Sequence, residues 1–138
     1  MSIVLGYDES PGAARALRVA IEVAAAFGEP LVLVYGAAAP GGLGEEYRIH
    51  HEAIRQTGRT ALAHAVESAD AAGVPSAVEI VDEKPAQALL GAAERHRARV
   101  IVVGSWGESP MRGALLGSTP HKLLHLSTIP VLCVPTET

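Results

Sequence analysis

Aromatic residues are scarce: the 138 residues include one Trp, one Phe and three Tyr. A core that cannot rest on large rings must be packed from Ala, Val, Leu and Ile, side chains small enough to let helices lie close against a sheet. Cysteine is nearly absent, and the single Cys133 excludes an internal disulfide, which fits a reducing cytoplasm. Long apolar runs are missing too. No window reaches the ~20 residues that a membrane-spanning helix needs, and the opening Met1-Ser2-Ile3-Val4-Leu5-Gly6 meets Asp8 without a basic leader or a signal-length apolar core. Nor is there an excess of positive charge. With a formal net charge of −4 and scattered basic residues, the electrostatic footprint of a nucleic-acid binder is not there.

Apolar residues make up 49% of the chain, enough for a sizeable core, and the length fits one domain over residues 1–138. Ser2 to Tyr7 is a short apolar run ending in Asp8-Glu9-Ser10-Pro11, where Ser10 can cap a helix and Pro11 suits its first turn. From Pro11 to Phe27 the positions Ala13, Leu17, Ala20, Ala24 and Phe27 recur at helical spacing, and Gly28 is placed to end the helix. Leu31 to Tyr35 is continuously apolar, as in a parallel strand covered on both faces. Gly36 to Gly44 is a loop with many backbone options. Glu45 to Ala72 forms a long helix with Ile54, Ala61, Leu62, Ala65 and Ala69 on one side; Gly58 weakens its middle by ~1 kcal/mol relative to Ala, and Gly73 closes it. Further strands fall at Ala77–Val81, Val100–Val103 and Pro130–Val134, and further helices at Pro85–His96 and Pro120–Ser127. Strands alternating with helices predict right-handed crossovers and a mostly parallel sheet.

The sharpest local signal is the segment from Gly104 to Pro120, which leaves the fourth strand and enters the last helix. Gly104 and Gly107 lack a Cβ, so backbone N–H groups can approach phosphate oxygens and positive φ is accessible. Gly117-Ser118-Thr119-Pro120 has helix-start chemistry: Ser118 or Thr119 caps, Pro120 takes the first turn, and free N–H groups with the positive end of the dipole favour an anion. The Ser118 and Thr119 hydroxyls can add donors or help hold a metal ion on the phosphates. Ligands of open α/β sheets lie beyond the carboxyl ends of the strands, where the winding changes direction. If strands one and four are neighbours, Asp8 and Gly104 face each other there. The alternative is that the glycines only shape a turn. A Walker lysine, a Gly-x-Gly-x-x-Gly fingerprint after a strand and a Gly-x-Ser-x-Gly elbow are all lacking.

On these residues the chain resembles the universal stress protein family, whose ATP-binding pattern Gly-x2-Gly-x9-Gly-Ser/Thr coincides with Gly104, Gly107, Gly117 and Ser118. Ile3 to Ser10 is similar to the family's opening strand with its Asp-x-Ser turn, and Ile129 to Val134 to its closing strand. The resemblance implies a doubly wound α/β fold of Rossmann-like, adenine nucleotide alpha hydrolase-like type: a five-stranded parallel sheet in the order 3-2-1-4-5 with helices on both faces. It also implies a homodimer and bound ATP, with or without Mg2+, across the ends of strands one and four. Carried over by position, Gly6 and Asp8 meet the adenine and ribose end and Gly36 closes over the base. Gly104, Gly107, Gly117, Ser118 and Thr119 hold the phosphates. Two positions depart from the family pattern: Gly36 stands where a hydrophobic residue is usual, and Arg99 where an acidic one is. Arg99 is expected to shape the start of strand four rather than the ligand site.

Other residues have plainer readings beside functional ones. Asp8 can satisfy N–H groups at the start of the first helix as well as touch a ligand. Arg112 is a candidate phosphate clamp or an exposed loop arginine, and Trp106 shields the phosphates, marks a partner surface or packs on a helix. His121 and His125 stand four apart, a spacing that can bind metal, but no third ligand is evident and the pair is not counted as a metal site. His50 and His51 are placed on a solvated face. Cys133 reads as a small apolar residue of an edge strand, which the family resemblance pairs with a second subunit. The functions consistent with this sequence are an ATP-binding regulatory protein with a further protein partner, a dimeric interaction module with an empty loop, and a slow ATP hydrolase. For hydrolysis only Glu108 and Arg112 are near, and no catalytic residue is assigned.

Overall fold

Leu31-Val32-Leu33-Val34 and Ile101-Val102-Val103 are runs of β-branched and aliphatic side chains with no polar face, which only a strand covered from both sides can satisfy. The computed structural model, which describes residues 1–38, 41, 44–105 and 116–136, places them accordingly. The elements are β1 (Ser2–Gly6), α1 (Pro11–Phe27), β2 (Leu31–Gly36), α2 (Glu45–Ala71), β3 (Ser76–Val81), α3 (Pro85–Arg95), β4 (Ala98–Gly104), α4 (Ser118–Leu126) and β5 (Val131–Val134). The strands form one five-stranded sheet, ordered β3-β2-β1-β4-β5. Every pairing is parallel, with Ile3 opposite Leu31 on one side and Val100 on the other.

Because side chains alternate across a strand, the sheet sorts its apolar residues into two layers. Ile3, Leu5, Leu31, Leu33 and Val102 face Ala16, Leu17 and Ala20 of α1 and Ala61, Leu62 and Ala65 of α2. Val4, Val32, Val34, Ile101 and Val103 face Ala88, Leu89 and Ala92 of α3 and Leu123 of α4. Alanine on the helix side of both layers is what the shortage of aromatics predicts. No helix among the described residues is long and apolar enough to cross a membrane.

The helix boundaries follow local chemistry. Ser10 Oγ accepts the Ala13 N–H at 3.2 Å and Pro11 occupies the first turn of α1. Gly28, at φ 64°, turns its N–H back to the last carbonyls of that helix. Two sequence expectations are corrected here. Phe27 does not join the core: it is 53% exposed and lies under the guanidinium of Arg99, 4.2 Å from ring centroid to Cζ. Arg99 Nε reaches both carboxylate oxygens of Glu29 at 3.0 Å, which holds that carboxyl below its usual range. The unexpected arginine thus ties the start of β4 to the segment before β2, at the end of the sheet away from the strands' carboxyl termini.

Gly58 is the second correction. It is buried, and a Cβ there would stand 2.5 Å from Cδ1 of Tyr35 and 3.0 Å from its Cγ. The glycine is a contact between α2 and the end of β2, not simply a weak point in the helix. Helix propensity alone makes Gly58→Ala stabilising by ~1 kcal/mol, whereas crowding a packed site costs ~1–3 kcal/mol. The expected outcome is a lower melting temperature for Gly58→Ala, with part of the loss relieved in a Tyr35→Leu background, as measured by thermal denaturation of the four proteins of the cycle.

Candidate functional site

From β1 the chain steps outward to β2 and β3, and α3 then carries it back across the sheet to β4, on the other side of β1. Helices leaving β1 and β4 diverge to opposite faces at that reversal, so the carboxyl ends of these two strands bound an open crevice. It encloses about 140 Å3, roughly ten times what a single water needs. Asp8 and Gly104 both line it, as the neighbouring of β1 and β4 requires.

One wall is the turn after β1. Asp8 Oδ1 accepts the Ser10 N–H at 3.0 Å, and Ser10 Oγ in turn caps α1. Asp8 therefore does what its plainer reading expected, and it faces the crevice too, with its other oxygen unpaired among the described residues. Between them Glu9 has φ 64°, an unusual conformation for a residue with a side chain. Its carboxylate bonds Nδ1 of His64 on α2, 55 positions away. Tyr7, just before, is held above the usual phenol range by burial and then by Glu9 and Asp8.

The floor and far wall are set by close approaches of backbone. A Cβ on Gly104 would lie 2.9 Å from the C and O of Gly12, so the end of β4 passes directly beneath the start of α1. At Gly36 the space is taken by Glu83 O and by N and Cα of Pro85, all 2.8 Å away. The missing hydrophobic side chain of β2 is thus replaced by the β3–α3 connection, and Pro85 and Leu89 supply apolar lining in its stead. Gly6 meets Leu89 in the same way, at 2.9 Å from Cδ1.

Two sets of polar backbone groups open here. The Tyr7 N–H donates to Val34 O and the Ala37 N–H to Val81 O. Peptides alternate sides along a strand, so Gly36, two beyond Val34, turns its N–H and C=O to the β1 side. β1 has already ended there, which leaves both groups at the crevice. At the other end, α4 begins at Ser118, with Gly117 at φ −59° as its N-cap and no side-chain cap. This corrects the expectation that Ser118 or Thr119 caps the helix. The Gly117 N–H goes to Ser105 O and that of His121 to Gly117 O. Pro120 has no N–H, so the amides of Ser118 and Thr119 have no partner among the described residues and their hydroxyls are free of capping duty. Both residues line the crevice with Gly117.

Gly6, Asp8, Gly36, Gly104, Gly117, Ser118 and Thr119 are therefore brought together. Gly107 and Arg112, with Trp106 and Glu108, lie outside the described residues. Positive φ, accessible to Gly104 and Gly107 by their lack of a Cβ, is not adopted by Gly104, and Gly107 lies outside the described residues. Pro85 and Leu89 line the crevice with no local mark of that role in the sequence. Their signal was topological, since a helix that returns the chain to β4 must start over the crevice. His51 is not merely solvated, because its Nε2 lies 3.0 Å from Asp82 Oδ1. Cys133, half-buried on β5, has its thiol pushed up by burial.

The contact between Glu9 and His64 makes a pH prediction. Glu9 raises the His64 pKa above its usual 6.5, so the contribution to stability is present below that value and is lost as pH rises through the raised one. The difference in melting temperature between wild type and His64→Gln is expected to be larger at a pH below 6.5, where His64 is charged, and to shrink as the pH rises through the raised pKa.

Comparison with known proteins agrees with this geometry. The universal stress protein family matches residues 1–135. The chain is 33% identical over 135 residues to a universal stress protein of Thermus aquaticus, covering 96% of this chain and 97% of that one. It is 37% identical over 81 residues to the universal stress protein YxiE of Bacillus subtilis, a match that spans 59% of this chain and 55% of the relative. A universal stress protein solved in complex with cAMP superposes with a TM-score of 0.70 at 26% identity, over 99% of this chain and 98% of that one. With the sheet order, the crevice and these likenesses in agreement, the chain belongs to the universal stress protein family.

Proposed function

We propose that the crevice binds an adenine nucleotide, ATP with or without Mg2+, and that occupancy is read by a partner protein or by a second copy of the chain. The observation that carries this is the pairing of groups, without partners among the described residues, at its two ends. The Gly36 peptide presents a donor beside an acceptor, which suits the N1 acceptor and N6 amino donor of adenine, between the apolar surfaces of Val34, Pro85 and Leu89. The start of α4 presents two amides, two hydroxyls and the positive end of a helix dipole, which suits phosphate. Asp8 stands on the turn that also carries Ser10, and its oxygen without a partner among the described residues suits a ribose hydroxyl. Gly107 and Arg112 complete the phosphate end in this reading. The relative solved with cAMP holds a nucleotide of the same base. The reading is of binding in a single-domain, cytoplasmic regulator, and it assigns no catalytic residue.

Dimerisation through β5 is part of the proposal. The two edges of the sheet differ. On β3, Glu79 is engaged by Arg95 at 2.8 Å and by His96 at 2.5 Å, and charges at an edge discourage strand pairing. β5 carries Leu132, 37% exposed, on the α1 side of the sheet, since its neighbours Val131 and Cys133 face the α4 side, where Leu124 and Leu126 are also exposed. Wild type is expected to elute as a dimer in size exclusion with light scattering and Leu132→Lys as a monomer; a monomeric wild type defeats this part.

Binding is tested by heat-denaturing freshly purified protein, assaying the supernatant for adenine nucleotides, and titrating ATP, ADP, AMP and cAMP by calorimetry. Hydrogen bonds to a charged group are worth ~1.5–3 kcal/mol each. The double variant Ser118→Ala/Thr119→Ala is therefore expected to lose ATP affinity by roughly tenfold or more while melting like the wild type. Absence of both carried nucleotide and measurable affinity in the wild type would refute the reading.

A further inference from the structure

The first turn of α4 lines the crevice, and the next turn carries His121 and His125. Leu123, fully buried, anchors this helix along with Pro120. It lies two positions from each histidine, which at 3.6 residues per turn sets each ring roughly 200° around the axis from it. Both rings thus project from the outer line of the helix, one turn apart and exposed. They meet edge to face with centroids 4.7 Å apart. Neither ring has a hydrogen bond or ion pair among the described residues. The contrast with other histidines is chemical: His51, His64 and His96 are each committed to a carboxylate, of Asp82, Glu9 and Glu79 respectively.

We propose that His121 and His125 form a two-imidazole chelate for a transition-metal ion of the Zn2+, Ni2+ or Cu2+ class, and that the bound ion holds α4 helical. Side chains four apart overlie one another on a helix, and paired histidines at this spacing are a recurrent zinc-binding arrangement. Imidazole suits these ions, at ~2.0–2.1 Å from nitrogen to zinc. No cluster of three ligating side chains occurs among the described residues. An ion at the surface does not require one, since water fills the remaining positions. Once one imidazole is bound, the second is offered at high effective concentration, so the pair binds far more tightly than either alone.

α4 has reason to depend on such a clip. It spans nine residues and has no side-chain cap at its start, and helices so short are marginal without outside support. An ion that binds only the helical arrangement favours it by mass action. The same helix positions Ser118 and Thr119, so the clip steadies the polar end of the crevice without touching what lies in it.

The test is calorimetric titration of Zn2+, Ni2+ and Cu2+ into untagged, nucleotide-free protein in a non-chelating buffer, with wild type, His121→Ala, His125→Ala and the control His50→Ala. One ion per chain is expected, with Cu2+ held most tightly. Affinity should fall about tenfold or more in either α4 variant and be unchanged in the control. Zn2+ should raise the melting temperature of wild type and not of His125→Ala. Metal binding that survives both α4 substitutions, or that is lost only in the control, or no binding by the wild type, overturns the site. Binding without a shift in melting temperature overturns the stabilisation of α4. Nucleotide is absent throughout, so either result stands apart from the fate of the crevice.

Discussion

The reversal of winding between β1 and β4 is the constraint on which the rest of the structure depends. Parallel strands must be joined by crossovers, and a crossover covers the sheet with a helix. So long as the chain steps in one direction, each helix shields the ends of the strands it connects. When α3 brings the chain back past β1, the helices leaving β1 and β4 lie on opposite faces, and nothing covers the gap between the two carboxyl ends. Every polar group described in the crevice is there because an element stops at this gap. The Gly36 peptide has outrun β1, Asp8 stands in the turn that follows that strand, and the amides of Ser118 and Thr119 are the unfilled beginning of a helix. The site requires no special strand or helix of its own, only the ends that the winding leaves unpaired.

Those ends come close enough to act together because of what is missing at Cβ. Glycine is commonly explained by the dihedral angles it permits, and Gly28 is used in that sense to stop α1. At Gly6, Gly36, Gly58 and Gly104 the reason is space. Each would drive a Cβ to within 3 Å of another atom, and at Gly36 and Gly104 that atom is backbone, which cannot swing away as a side chain does. The same shortage of bulk runs through the alanine-lined helices. Small residues at the contacts bring layers together, and the layers' closeness confines the crevice.

This difference explains how far the sequence could be read. The element order, the caps at Ser10 and Gly28 and the two-sided burial of β2 and β4 were legible, because each is fixed by neighbours in sequence or by hydropathy. Gly36 looked like a gap in a base-binding wall, and its replacement by Pro85 could not be seen, since Pro85 reaches it only through the crossover of α3. Gly58 looked like a flaw in a helix because Tyr35 lies 23 positions away on another strand. The commitment of Glu9 to His64, and of Arg99 to Glu29, is likewise tertiary and leaves no local trace. At the start of α4 the order Gly-Ser-Thr-Pro marked the helix start in place but not its cap, which falls on Gly117 and spares both hydroxyls.

That last detail carries a physical consequence beyond bookkeeping of caps. A serine or threonine that caps its helix bonds an amide two or three residues on, and so removes from the pocket one donor and one hydroxyl together. With the cap moved to glycine, α4 forgoes that stabilisation and keeps its first amides available. The cost falls on a helix of nine residues, anchored by Leu123 and Pro120 and otherwise open to solvent on its outer face. A helix so arranged is more stable with something at its first turn than without, because an anion supplies the hydrogen bonds that the cap does not. The proposed occupancy of the crevice and the order of α4 would then be one equilibrium. Since α4 leads directly into β5, the edge strand beside it is where a change at the site would next be felt.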